Sequence, residues 1–215
     1  MFADRADAGR QLARALTRLR AEKPLILALP RGGVIVGAEI ARALAGELDV
    51  MLVKKLRAPD NPELALGAVA EDGHYFVNEE VQRLTGANED YLRTECETRL
   101  AEMEAQHRRY RQVRPRIDPT NRHVILVDDG LATGSTMIAA AQAVALAKPA
   151  RVVVAVPVSP PDTIDLIRGM DEVQEVICLD TPAWFSGVGQ FYENFTQVED
   201  AEVEAILKRF AKAGS

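Results

Sequence analysis

The chain has 215 residues, 47% hydrophobic and 27% charged, enough to bury one full core and short for two independent domains. Its net charge of −6 gives no global electrostatic reason to hold a polyanion, so we expect no nucleic-acid partner. Cys96 and Cys178 lie far apart in no CxxC or Cys/His spacing, which supports neither a disulfide framework nor a zinc site and fits free thiols in a reducing cytoplasm.

The opening MFADRADAGRQLARAL is charged and has no apolar h-region, and no stretch reaches the ~18 consecutive apolar residues of a membrane span. We therefore expect a cytoplasmic protein with no membrane partner. Leu12, Ala15, Leu16 and Leu19 recur at helical spacing and predict an amphipathic helix over residues 7 to 21, which Pro24 ends. LILAL (25 to 29) reads as a buried strand, followed by the turn Pro30, Arg31, Gly32, Gly33 and the helical stretch VGAEIARALAG. DVMLVKKL (49 to 56) reads as a second strand, and RAPDNPELALG, rich in turn formers, as a loop. GAVAEDGHYFVN predicts a hairpin turning at Asp72 and Gly73.

Residues 79 to 112 are dense in Glu, Arg and Gln and predict a short and a long helix, split near Gly86 and Ala87 with Asn88 as cap. Their charges read as a solvated face. The segment either covers the sheet or binds a partner subunit, which leaves a homo-oligomer open. HVILV (123 to 127) and RVVVAVPV (151 to 158) are two more buried strands with the helix MIAAAQAVALAK between them. VICLD, the aromatic run TPAWFSGVGQFYENF and a last helix near EDAEVEAILKRFAKA close the chain. Strands alternating with helices predict an α/β fold with a mostly parallel sheet flanked by helices.

The stretch VILVDDGLATGST carries the chemistry. In an open parallel sheet, ligands bind beyond the carboxyl ends of strands, where this stretch sits. Ala132, Thr133, Gly134, Ser135 and Thr136 open the following helix, whose free N–H groups and dipole favour an anion such as a phosphate monoester. Asp128 and Asp129 repel phosphate and must face another part of the same ligand. Carboxylates accept hydrogen bonds from sugar hydroxyls, so the stretch reads as a ribose-5-phosphate clamp. No lysine follows Gly134, as a P-loop needs, and neither glycine turn has the dinucleotide spacing G-x-G-x-x-G.

VILVDDGLATGST resembles, position by position, the phosphoribosyl-diphosphate (PRPP) binding motif of type I phosphoribosyltransferases. LALPRGGVIVGAEIA is similar to the family's pyrophosphate loop in its xanthine-guanine form. The two matches cover roughly residues 25 to 158. The whole chain, including FADRADAG and KKLRAPDNPELALGAVAEDG, is similar to a group of bacterial proteins labelled predicted phosphoribosyltransferases.

The resemblance implies a type I phosphoribosyltransferase fold in one domain, residues 1 to 215, with a helical insertion near 79 to 112 and a small hood near 178 to 198. It assigns the ribose hydroxyls to Asp128 and Asp129, the 5′-phosphate to the loop from Ala132 to Thr136, and the diphosphate to Pro30, Arg31, Gly32 and Gly33. The Pro30–Arg31 bond is expected to be cis. Lys54 and Lys55 would end a strand beside the diphosphate, Lys54 acting in catalysis with the two aspartates, and residues 57 to 68 would form a mobile lid. Magnesium would arrive on PRPP, with no direct protein ligand. Trp184 and Phe185, with Phe191, Tyr192 and Phe195, are the expected hood over the acceptor. Hypoxanthine-guanine enzymes carry an acid where this chain has Ala132, which disfavours their mechanism.

The implied activity is a pentosyl transfer from PRPP to a nitrogen acceptor, for example a nucleobase, with release of diphosphate. Two alternatives stay open on the same scaffold: a regulator that senses PRPP or a nucleotide, and a hydrolase of a phosphoribosyl compound. His74, His107 and His123 stand in unlike settings and are read as structural.

Overall fold

The computed structural model describes residues 1–213. Its centre is a five-stranded parallel sheet in the order β2-β1-β6-β7-β8, built from β1 (Leu25–Ala28), β2 (Glu47–Val50), β6 (His123–Val127), β7 (Arg151–Val158) and β8 (Glu175–Asp180). Successive side chains of a strand point to opposite faces, so each apolar run feeds two cores. Ile26, Ala28, Ile125 and Val127 pack on one side with α1 (Arg5–Ala15), α2 (Gly32–Leu44), α4 (Glu89–Val113) and α7 (Asp200–Ala213). Leu25, Leu27, Val124 and Leu126 pack on the other with α5 (Ser135–Ala145) and α6 (Pro161–Arg168). Burial on both faces explains why these strands read as unbroken apolar runs.

The predicted strand over 49 to 56 is divided. The chain leaves the parallel sheet at Val50 and, after Met51 and Leu52, enters a second, antiparallel sheet of β3 (Val53–Ala58), β4 (Asn61–Ala70) and β5 (Tyr75–Val77). Lys54 and Lys55 thus lie near the start of β3, paired with Val69 and Ala68, and do not end a strand of the main sheet. The segment from 57 to 68, expected as a loop, is mostly strand: β3 turns into β4 through Asp60, whose φ is 59°. Backbone pairing with β3 outweighs the turn-forming composition of this stretch. The hairpin at Asp72 and Gly73 forms as expected, Gly73 having φ 82°.

The first helix starts earlier than its periodicity suggests, because the Asp4 carboxylate caps it by accepting from the Asp7 N–H at 2.7 Å. It gives way to a 3-10 segment at Thr17–Glu22. The helix α3 (Glu79–Thr85) ends at Gly86, and Asn88 caps α4 by accepting from the Tyr91 N–H at 2.9 Å. The 25-residue α4 is less solvated than its charges suggest: Arg99 is buried along with Leu92, Cys96, Met103 and Tyr110. Its last turn is pinned to the sheet by Arg111, which donates to Asp49 at 2.6 Å and to Glu71. The short helix α6, opened by Pro161 at its first turn, has no counterpart in the sequence reading.

Candidate functional site

Parallel strands β1 and β6 are neighbours, so the turns that follow them stand side by side at one sheet edge. Contact between the turns is close. A methyl group built on Gly32 would stand 1.9 Å from Asp129 Oδ2, and one on Gly33 would stand 2.8 Å from the Val127 carbonyl oxygen and 2.9 Å from Asp128 Cα. Only residues without a Cβ let these two backbones meet. The Pro30–Arg31 peptide bond is cis, as expected.

The two acids differ in their surroundings. Asp128 accepts the Asp129 N–H at 2.8 Å, and burial, then the neighbouring charge of Asp129, pushes its carboxyl well above the usual carboxylate range. Asp129 Oδ2 accepts from Arg5 Nε at 2.6 Å, while Arg5 also donates to the Thr196 carbonyl at 2.8 Å and lies 3.8 Å from the Phe195 ring centre. The Tyr192 hydroxyl donates to the Asp129 carbonyl at 2.6 Å. Arg5 and Tyr192 therefore hold Asp129 from outside the motif. The sequence reading missed Arg5, although it lies inside the quoted FADRADAG, and named Tyr192 only as part of the acceptor hood.

Beyond the acids, Gly134 takes φ 69° and turns the chain into α5. Thr133 and Ser135 share a hydrogen bond at 2.8 Å between their hydroxyls, and Thr163 of α6 anchors the loop by donating to the Ala132 carbonyl at 2.8 Å. The first N–H groups of α5 have no partner within the helix and face this end. Together the loop offers an anion hydroxyls, amides and the positive end of a helix dipole.

A cavity of about 500 Å³ opens beside these turns. Leu29 and Pro30 from the first turn and Thr136 from the second form one rim, β3 and β4 supply Lys54, Lys55, Arg57 and Pro62, and α4 supplies Arg99, Glu102 and Gln106. Lys54 Nζ lies 3.7 Å from Glu102. The structure thus brings Pro30, Lys54, Lys55 and Thr136 to one hollow. Arg31 is directed elsewhere, its guanidinium 4.0 Å from Glu199.

Trp184 and Phe185 do not line this hollow. Trp184 is 89% exposed, and Phe185 stacks on Phe191 at 5.4 Å in a small cluster with Phe2 and Tyr192. No three His, Cys, Asp or Glu side chains converge to hold a metal among the described residues. His74, His107 and His123 lie beside Asp72, Glu71 and Glu22, away from the acid pair. Both thiols are free; burial pushes Cys178 up to about 11 and raises Cys96. No described helix is long and apolar enough to cross a membrane.

The family model for the phosphoribosyl transferase domain matches residues 3–193. Proteins from two strains of Mycobacterium tuberculosis, which carry the provisional name of phosphoribosyl transferase, are 44% identical over the whole chain. The chain spans about half, 49%, of the length of these curated relatives. The crystal structure of TT1426 from Thermus thermophilus is 45% identical and superposes with a TM-score of 0.92, covering 98% of this chain and 99% of that one.

Proposed function

Because the chain belongs to the phosphoribosyl transferase domain family, we propose that its cleft transfers the 5-phosphoribosyl group of PRPP to a nitrogen acceptor and releases diphosphate. The observation that carries this reading is the contact of the Gly32–Gly33 turn with Asp128 and Asp129. It unites a sugar-binding acid pair, an anion-binding helix start and a second backbone turn within the span of one small ligand.

In this reading the ribose lies over the acids. Asp129, held by Arg5, accepts from one hydroxyl, and Asp128, whose burial favours the protonated form, meets the other with either a donor or an acceptor. Thr133, Ser135 and Thr136 hold the 5′-phosphate with the amides that open α5. The diphosphate then reaches the rim at Pro30, beside Lys54 and Lys55.

The bond from C1 to the diphosphate breaks, the electron pair leaves with the diphosphate, and the acceptor nitrogen attacks the cation-like ribose. The two lysines stabilise the charge that develops on the leaving group. Magnesium carried by the diphosphate adds neutralising charge when bound. The β3–β4 hairpin and α4 wall off the hollow and limit water, the competing nucleophile.

The test is diphosphate release from PRPP and magnesium with a panel of nitrogen bases. Release with an acceptor, and its loss in Asp128→Asn and Asp129→Asn, is expected. PRPP affinity unchanged in the double alanine variant would defeat the proposal. Tight PRPP binding without release for any acceptor would instead make the chain a sensor, and release in water alone a hydrolase.

A further inference from the structure

The face that α4 turns toward β3 is polar. Tyr91, Glu95, Arg99, Glu102 and Gln106 recur at spacings of four, four, three and four residues, which places them in one stripe along the helix. The stripe beside it, with Leu92, Cys96, Met103 and Tyr110, carries the apolar burial. Core packing therefore does not account for the polar stripe, and its contacts do.

β3 is an edge strand of the antiparallel sheet, so one side of its backbone has no strand partner. At Arg57 the polar stripe takes that place. A Glu95 oxygen accepts from the Arg57 N–H at 2.9 Å, and the Tyr91 hydroxyl donates to the Arg57 carbonyl at 3.0 Å. The pairing of β3 with β4 is irregular at the same point, its register shifting on either side of Arg57. Ladder bonds define the strand poorly there, and α4 supplies the missing constraint.

The stripe continues toward the lysines. Buried Arg99 stands 3.2 Å from Glu95 and 2.7 Å from Glu102, and Glu102 lies 3.7 Å from Lys54 Nζ. The Lys54–Glu102 pair is half-exposed at both ends and contributes little by itself. The grip on the backbone is the stronger restraint. Lys54 and Lys55 precede Arg57 by three and two residues on the same strand, so fixing β3 at Arg57 fixes where both side chains start.

We propose that Tyr91 and Glu95 are positioning residues of the transfer site: by holding β3 at Arg57, they set Lys54 and Lys55 beside the departing diphosphate. This inference rests on the phosphoribosyl-transfer reading, which puts the diphosphate next to these lysines. The long helix thereby serves charge stabilisation without touching the ligand, and the hairpin that it grips is a fixed wall at its Arg57 end.

Two probes titrated by calorimetry separate the parts of the site. Inorganic diphosphate with magnesium reports on the lysines, and ribose 5-phosphate reports on the acid pair and the loop after it, neither of which bonds to Tyr91 or Glu95. Tyr91→Phe and Glu95→Ala are each expected to weaken diphosphate about fivefold while ribose 5-phosphate stays within about twofold. Glu95→Gln keeps an oxygen for the Arg57 N–H and should recover most of the loss. With Lys54 and Lys55 both replaced by alanine, Tyr91→Phe should have no further effect on diphosphate. Tyr91→Phe removes a single oxygen, so it stays informative if Glu95→Ala, beside the buried Arg99, impairs folding. Unchanged diphosphate affinity in Tyr91→Phe, an equal loss for both probes, or the same loss in the double-alanine background overturns the proposal. Full diphosphate affinity in the double-alanine variant overturns it too, and takes the lysines out of the transfer reading. Ribose 5-phosphate binding that Asp128→Asn abolishes keeps the rest of that reading whatever the fate of the grip on β3.

Discussion

Asp49, fully buried within β2, and Asp128, half-buried just after β6, are both acids whose pKa is raised by desolvation. Asp49 lies within β2, next to its last residue, and is fully buried. It accepts from the Val50 N–H at 2.7 Å, Arg111 at 2.6 Å and the Ile117 N–H at 2.9 Å. Asp128 follows the last residue of β6, accepts from the Asp129 N–H, and feels the charge of the adjacent Asp129 most strongly. Asp49 therefore ties α4 to the sheet, with its acceptor capacity spent inside the protein. Asp128 has one hydrogen bond from the chain and is destabilised by the charge beside it, and the proposed reading gives its remaining acceptor capacity to a ligand. Buried acids of structural and binding type are told apart by the donors that surround them.

The comparison breaks most clearly at Arg111. Replacing it by methionine leaves Asp49 and Glu71 buried without their cation, and should cost about 3–5 kcal/mol in urea unfolding. Ribose 5-phosphate binding by the folded fraction should stay unchanged. Arg5→Ala removes the corresponding cation from the other region. We expect a loss of about 1–3 kcal/mol of stability, together with weaker ribose 5-phosphate binding by calorimetry. Lysine at position 5 should recover only part, since it cannot bridge Asp129 and Thr196 with two fixed N–H groups.

Asp128→Asn should have the opposite sign. Removing a carboxylate from beside Asp129 is expected to stabilise the protein at neutral pH by about 1 kcal/mol, while ribose 5-phosphate binding is lost. The pH dependence follows from the raised folded pKa. Its stabilising contribution is complete below the ordinary carboxylate value of about 4 and is lost as pH rises through the higher folded value. Wild-type melting temperature should therefore fall along that rise and fall less in the variant, the remainder coming from Asp49. A melting curve unchanged in shape would place the titration elsewhere. The smallest effect is expected for Trp184→Ala: the side chain is 89% exposed, so stability should move by no more than about 0.5 kcal/mol, and acceptor binding should not move at all.

Local signals were legible where a short stretch acts alone. The buried strand LILA, the turn at Gly73 and the cap at Asn88 each depend on neighbours within a few residues, and each was read correctly. The acid pair and the Gly32–Gly33 turn were likewise visible as motifs. The stretch after Lys55 was misread because its prolines and aspartate describe one tight turn, while β4 is created by pairing with β3. The charges of α4 were read as solvated because a helix pattern does not say which arginines turn inward, as Arg99 and Arg111 do.

The amino-acid sequence by itself determined the apolar strands, the helices between them and the small-residue turns at their ends, since these follow from periodicity and from the backbone freedom of single residues. Tertiary structure decided how the site is held and walled. Arg5 lies 124 positions from Asp129, and the cavity wall joins residues of β3 with residues of α4 that stand far from them in the chain. Such contacts arise when separate elements pack in three dimensions, and no spacing along the chain encodes them.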